Sequence, residues 1–199
     1  MDNKHTRAAI YSMGIEGETV GARRLGRRLG LKVEEAAKEI DALKEAGMVE
    51  LDGKSARLTP KGRRSIRVVF IGGGFELIHY GHVYTISRAR SLGDVLVVSV
   101  ARDNTIRKRK KREPLINEGD RVRLLSALRD VDAAILGVEG DIYVTLQKVK
   151  PDIVALGYDQ YHLEEEVERE AAKRGMKLKV VRLDSPYPRI KTTKILSEL

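Results

Sequence analysis

The chain has 199 residues, 42% of them hydrophobic and 34% charged, with a net charge of +9 and no cysteine. Disulfide frameworks, thiolate metal sites and a cysteine nucleophile are thereby excluded. No apolar run approaches the roughly 18 residues of a membrane-spanning helix, and the polar N-terminus lacks the apolar core of a signal peptide, so no membrane association and a cytoplasmic location are expected. The cationic balance suits nucleic acid, an anionic surface or polyanionic small substrates such as nucleotides. The sequence changes character near residue 65, which predicts two domains, 1–64 and 65–199.

In chain order, residues 6–14 read as a helix ending at Gly14, residues 21–29 as a second ending at Gly30, and residues 33–46 as a third. Val33, Ala36, Ala37, Ile40 and Leu43 keep helical spacing in the third, and Gly47 stops it. Met48 to Leu51, a turn at Asp52-Gly53-Lys54, and Ala56 to Pro60 predict a hairpin. Three helices and a hairpin resemble a winged helix-turn-helix domain, with Leu58-Thr59-Pro60-Lys61-Gly62 similar to the wing of many archaeal examples. The helix at 32–46 carries a net charge of −2, which argues against its entering the major groove of DNA. The cations Arg23, Arg24, Arg27 and Arg28 lie on the preceding helix, where they suit either a DNA backbone or a solvated face. A protein-interaction or homodimerisation module is the alternative use.

From residue 66 the pattern alternates. Strands are predicted near 66–72, 94–101, 132–137, 152–157 and 177–183, and helices near 81–92, 119–129, 141–149, 161–174 and 192–198. The expected class is α/β, a Rossmann-like domain with a five-stranded parallel sheet. Right-handed crossovers put the first strand centrally, its C-terminal end at the switch point where nucleotides bind in open sheets.

The first strand runs into Gly72-Gly73-Gly74, followed by Phe75-Glu76-Leu77-Ile78-His79-Tyr80-Gly81-His82 at the start of a helix. Strand, glycine turn and helix N-terminus make an anion site, because free backbone N–H groups and two imidazoles can face one phosphate. A Gly-x-Gly-x-x-Gly dinucleotide fingerprint would need glycine at Leu77 or Ile78 and is broken. Other uses of the histidines are a metal pair at i, i+3, for which no third ligand stands nearby, or two surface side chains.

The stretch from Gly73 to His82 resembles the Gly-Thr-Phe-Asp-x-x-His-x-Gly-His signature of the nucleotidyltransferase superfamily that transfers AMP or CMP. The resemblance implies that Gly73, Gly74, Phe75, Glu76, His79 and His82 bind the nucleotide, with both histidines stabilising charge at the α-phosphorus. Gly74 replaces the family threonine and Glu76 the aspartate. In the family an arginine opens a later helix and a Val-Asp pair closes it eleven residues on. Arg121 and the pair Val131-Asp132 reproduce that spacing, which implies Arg121 on the β- and γ-phosphates.

Residues 134–141 and Lys150-Pro151-Asp152 to Gln160 are similar to the archaeal FAD synthases, which implies that Gly157, Tyr158 and Asp159 bind the base and ribose. Asp159 equally suits the N-cap of the next helix. Arg189 to Ile195 resembles the Ile-Ser-(Ser/Thr)-Thr motif of glycerol-3-phosphate cytidylyltransferases. That implies phosphate contacts from Thr192 and Thr193, a cationic one from Lys191, and Lys194 on the leaving pyrophosphate. A Thr-capped helix is the plainer alternative. Ser185-Pro186-Tyr187-Pro188 reads as a rigid loop shaping the acceptor pocket.

The six cations Arg107 to Arg112 are expected to form a loop, either a lid over phosphates or a solvated segment. The implied chemistry transfers AMP from ATP to FMN, giving FAD and pyrophosphate; the alternative transfers CMP from CTP to a small phosphorylated alcohol such as glycerol 3-phosphate. Mg²⁺ would be held mainly by the triphosphate, with no metal ligand expected from the protein. A nucleotide-sensing DNA-binding regulator is the alternative from another class.

Overall fold

A computed structural model describes residues 3–190 and 192–197. The chain divides into two compact units, Met1–Arg67 and Val68–Leu199.

The first unit comprises α1 (Lys4–Ile15), α2 (Ala22–Leu29), α3 (Val33–Glu45), the antiparallel pair β1 (Val49–Asp52) and β2 (Ser55–Leu58), and α4 (Pro60–Arg64). Helix α1 runs past Gly14 because glycine in a last turn costs little; Gly17, at φ +84°, follows its end. Ile10, Met13, Leu25, Ala36, Ile40, Leu43, Val49 and Ala56 close a small core. Val33 is exposed, because the apolar stripe of α3 begins a turn later, at Ala36. The segment expected to end the wing folds otherwise from Thr59 on. Thr59 Oγ1 accepts from the Gly62 N–H at 3.1 Å and donates to the Gly47 carbonyl at 2.8 Å, and Pro60 opens α4 at the position where a missing N–H costs nothing.

The second unit alternates as β3 (Val68–Gly73), α5 (Tyr80–Arg90), β4 (Val95–Val100), α6 (Asp103–Lys110), α7 (Glu118–Ser126), β5 (Ala133–Leu136), α8 (Ile142–Val149), β6 (Ile153–Leu156), α9 (Glu164–Lys173), β7 (Lys179–Arg182) and α10 (Thr192–Ser197). The five strands are parallel in the order β5-β4-β3-β6-β7. This is the Rossmann-like α/β arrangement. Every residue of β4 is buried, as its unbroken valine-rich run requires of a strand covered on both faces. Val69, Ile71, Ile86, Leu96, Val98, Leu125 and Ala155 lie at the centre of the core.

Two aspartates set the register at the N-terminal edge of the sheet. Asp132, just before β5, accepts the Leu96 N–H of β4 at 2.7 Å, and Asp152, just before β6, accepts the Val68 N–H of β3 at 2.7 Å. Each carboxylate pairs a backbone donor at the start of a strand, the first residue of β3 and the second of β4. The sheet reverses its order between β3 and β6, so their C-terminal ends open a crevice.

Candidate active site

That crevice holds a cavity of about 260 Å³ within the second unit. Its wall is formed by the glycine turn and Glu76, by His79, Gly81, His82 and Thr85 of the turn into α5, by Gly157 to Gln160 after β6, and by Ser185, Tyr187, Ile190 and Thr192.

The glycine turn is shaped by the ring it must accommodate. Phe75 adopts φ +50° and folds its ring back, so that a Cβ on Gly73 would come within 2.9 Å of it. Any larger residue there would push the ring out of this place. Phe75 in turn touches His82, ring centroids 5.3 Å apart, and His82 stacks on His79 at 3.8 Å with 24° between planes. Gly81 has the same purpose. A Cβ there would lie 3.2 Å from the His79 ring, so the glycine admits the imidazole against the first turn of α5. His79 occupies the N-cap of that helix in extended conformation, its carbonyl accepting from the His82 and Val83 N–H groups while its side chain makes no capping bond.

The Nδ1 atoms of both histidines are buried and have no hydrogen-bond partner. Buried polar atoms are rarely left so, and two adjacent ones in a cavity wall point to a ligand that supplies the partner. Burial pushes the His82 imidazole down to about 4, with the neighbouring His79 adding to the effect and the Leu77 backbone and Asp159 opposing it. Burial lowers His79 as well. Both rings are therefore neutral near pH 7, and an anion against them would raise their proton affinity.

Glu76 is buried, and its carboxylate meets Lys110, Arg112 (2.7 and 3.0 Å) and the Leu115 N–H (3.3 Å). Burial would raise its pKa, but the hydrogen bonds from Arg112 and Lys110 win and hold it near 2. The basic run is accordingly not the loop expected from its charge. Arg107 to Lys110 form the last turn of α6, which ends at Lys111 in left-handed conformation. Beyond Lys110 and Arg112, Arg107 pairs with Glu113 at 2.9 Å, Lys108 with Glu139 at 2.7 Å, and Arg109 with the Tyr161 hydroxyl. Like-charge repulsion is offset by Glu76 and Glu139 from distant parts of the chain and by Glu113 directly after the run.

Arg121 also departs from expectation. Its side chain is fully buried, with Nε donating to the Ile116 carbonyl (2.9 Å), Nη1 to the Gly74 carbonyl (2.6 Å) and Nη2 to Asp103 (2.5 Å). It fixes the glycine turn from behind and does not line the cavity, so it is a positioning residue and not a phosphate ligand. Lys194 is exposed and does not line the cavity either. Thr192 lines it, its hydroxyl 3.4 Å from the Leu77 carbonyl. Lys191 and the Thr193 side chain lie outside the described residues. Asp159 is on the cavity wall and is not a helix cap, since α9 starts after Leu163.

Of three further residues here, the sequence placed Gln160 and Lys110 only within the stretches 156–160 and 107–112 and gave no sign of Arg182. Gln160 stitches the crevice, Oε1 accepting from the Gly157 N–H at 3.0 Å and Nε2 donating to the Gly72 carbonyl at 2.7 Å. Arg182 ties down residues 157–164 through the Gly157, Gln160 and His162 carbonyls and the Glu164 carboxylate. Lys110 brings an ammonium to the wall beside Gly74. The Pro151-Asp152 to Gln160 stretch carried a signal for the first; nothing in local pattern singles out Arg182.

A doubly wound parallel sheet whose switch point presents a glycine turn and paired imidazoles is the framework of a nucleotidyltransferase. Residues 70–198 match the cytidylyltransferase-like family, and the chain belongs to it. It is 50% identical over 115 residues to an FAD synthase of Aciduliprofundum boonei, covering 58% of this chain and 76% of that protein. With an FAD synthase of Thermococcus onnurineus it shares 44% identity over 140 residues, 69% of this chain and 93% of the relative. Among solved structures, the lipopolysaccharide core biosynthesis protein from Thermoplasma volcanium superposes with a TM-score of 0.58 at 42% identity, covering 60% of this chain and 98% of that one. No helix among the described residues is long and apolar enough to cross a membrane.

Proposed function

We propose that the second unit is an FMN adenylyltransferase, converting ATP and FMN to FAD and pyrophosphate. An oxygen of the FMN phosphate attacks the α-phosphorus of ATP, a new P–O bond forms, and the bond from that phosphorus to the β-phosphate bridge breaks, the electron pair leaving with pyrophosphate. The acceptor is already a phosphate, so no protein nucleophile is needed. The protein supplies positioning and charge stabilisation.

The observation that carries this assignment is the stacked pair His79 and His82 with both Nδ1 atoms unpartnered in the cavity wall. The two imidazoles, the backbone of Gly73 and Gly74 and the ammonium of Lys110 line the cavity in which charge would grow on phosphate oxygens. Phe75 buttresses His82, Glu76 orients Lys110, and Thr192 is placed to hold a phosphate oxygen. Gly157, Tyr158 and Asp159 hold the base and ribose. Among the described residues no three acidic or imidazole groups cluster to hold a metal. Mg²⁺ would be chelated chiefly by the triphosphate, where it neutralises charge on the leaving group. Nothing in the site favours CTP over ATP, whereas the FAD synthase relatives favour ATP and FMN.

The arrangement of three helices and a hairpin in residues 1–67 supports its assignment as a winged helix-turn-helix domain. Its acidic third helix makes DNA reading the weaker use of it. A pyrophosphate-release matrix of ATP and CTP against FMN and glycerol 3-phosphate tests the assignment. Release is expected with ATP plus FMN, and release only with CTP plus the alcohol phosphate would overturn it.

A further inference from the structure

Arg109 lies near the end of α6, which follows β4, and Tyr161 lies in the segment after β6. These two strands flank β3 in the sheet, so the contact between Arg109 and Tyr161 spans the end of β3, over the glycine turn. The guanidinium sits 5.0 Å from the ring centroid and donates to the phenol hydroxyl, while the His162 ring lies 4.1 Å from the Tyr161 ring. Lys110 and Gln160, the sequence neighbours of the pair, both line the cavity. The Arg109–Tyr161 contact therefore stands one residue outside the cavity on each side of it.

Tyr161 is 65% exposed, yet the backbone carrying it is tightly held. The Gln160 amide is bonded at both ends, and the Arg182 guanidinium bonds the carbonyls on either side of Tyr161, those of Gln160 and His162. A ring kept in water on a rigid backbone is preorganised to stack on something planar, because its ordering entropy is already spent. Tyr161 keeps most of its surface in water beside Arg109 and His162, whereas Tyr187, another aromatic at this edge, is only partly exposed. Its ring is packed edge-on by Tyr80 at 4.8 Å and Tyr84 at 5.7 Å, and it forms part of the cavity wall itself.

We infer that Tyr161 and Arg109 form the platform for the acceptor's ring system: the planar, electron-poor isoalloxazine stacks on the phenol with the guanidinium alongside, while the acceptor phosphate reaches into the cavity. This rests on FMN being the acceptor. A small alcohol phosphate has no ring to place there, so the platform selects flavin over such acceptors.

The test is steady-state FAD formation by the full chain, varying FMN at saturating ATP and ATP at saturating FMN. Tyr161→Ala is expected to raise KM for FMN about tenfold, as loss of one aromatic stack does, with kcat and KM for ATP within about twofold. Tyr161→Phe keeps the stacking face and should restore KM for FMN to within about threefold of the native value. Arg109→Gln should raise KM for FMN and leave KM for ATP alone. Quenching of FMN fluorescence on titration with protein, without ATP, should weaken in Tyr161→Ala and persist in Tyr161→Phe. FAD formation by the native chain with an unchanged KM for FMN in Tyr161→Ala would overturn the platform alone, as would an equal rise in KM for ATP. No FAD from the native chain with ATP and FMN would overturn the acceptor assignment, and the platform with it.

Discussion

Truncating His82 to alanine tests the catalytic assignment most directly. The substitution removes an imidazole that lies against the His79 and Phe75 rings and whose Nδ1 no protein group satisfies. One preorganised donor at a centre gaining charge is worth ~10²–10³ in kcat, or ~3–4 kcal/mol. ATP affinity should fall far less, because the glycine amides, Lys110 and Thr192 remain. Pyrophosphate release at saturating ATP and FMN reads the first quantity, and equilibrium binding of a non-hydrolysable ATP analogue reads the second. The same variant carries a pH signature. In the folded chain His82 is depressed from 6.5 to about 4, so between those values the unfolded chain binds a proton that the folded one refuses. Stability is therefore retained above 6.5, falls as pH drops through this window, and loses nothing further from this group below about 4. At 1.36 kcal/mol per unit the loss is at most ~3 kcal/mol. The His82→Ala protein should show a correspondingly flatter stability profile in urea titrations from pH 7 to 4. Near-native turnover, or an unchanged acid slope, would refute the argument.

Arg121→Met should destabilise the second unit by ~3–5 kcal/mol, since it leaves Asp103 and the Gly74 and Ile116 carbonyls without their buried donor; thermal unfolding measures this, and a shift under 1 kcal/mol would show that the guanidinium is not structural. Glu76→Gln removes the carboxylate that pairs Lys110 and Arg112. With both cations about a third exposed, water replaces part of the loss, and ~2–3 kcal/mol together with a raised KM for ATP is expected. The low Glu76 pKa gives stability that is fully present above 4.5 and is lost as pH falls through about 2. In the first unit Gly62→Ala would place a Cβ 2.0 Å from the Met48 carbonyl oxygen, so a loss of at least ~2 kcal/mol in that unit is expected, read as selective early exchange of amides in residues 4–64.

Much of the framework was legible along the chain. The β–α alternation from residue 66 follows from periodicity, and β4 from a valine-rich run that only a doubly covered strand tolerates. The glycine turn with His79 and His82 was legible because its backbone needs are local: Gly73 and Gly81 each admit a ring two residues away. Helix α6 was hidden by its charge. Six consecutive cations predict repulsion, and the helix forms because Glu76 and Glu139 meet them from elsewhere in the chain and Glu113 from just beyond the run.

Most of the elements, their order and the glycine turn with its two histidines could be read from the chain alone, since these depend on neighbours within about one helical turn; α4 and α6 could not. Which charges face the cavity and which are spent inside depends on contacts made across the fold. Arg121 is the plainest case. Its spacing matches a phosphate-binding arginine, yet Gly74, 47 residues away, and Asp103, 18 residues away, take its donors. A buried guanidinium must satisfy its N–H groups wherever acceptors lie, and the fold alone sets where that is. The same holds for Tyr161, an ordinary loop tyrosine until the sheet order brings Arg109 across to it.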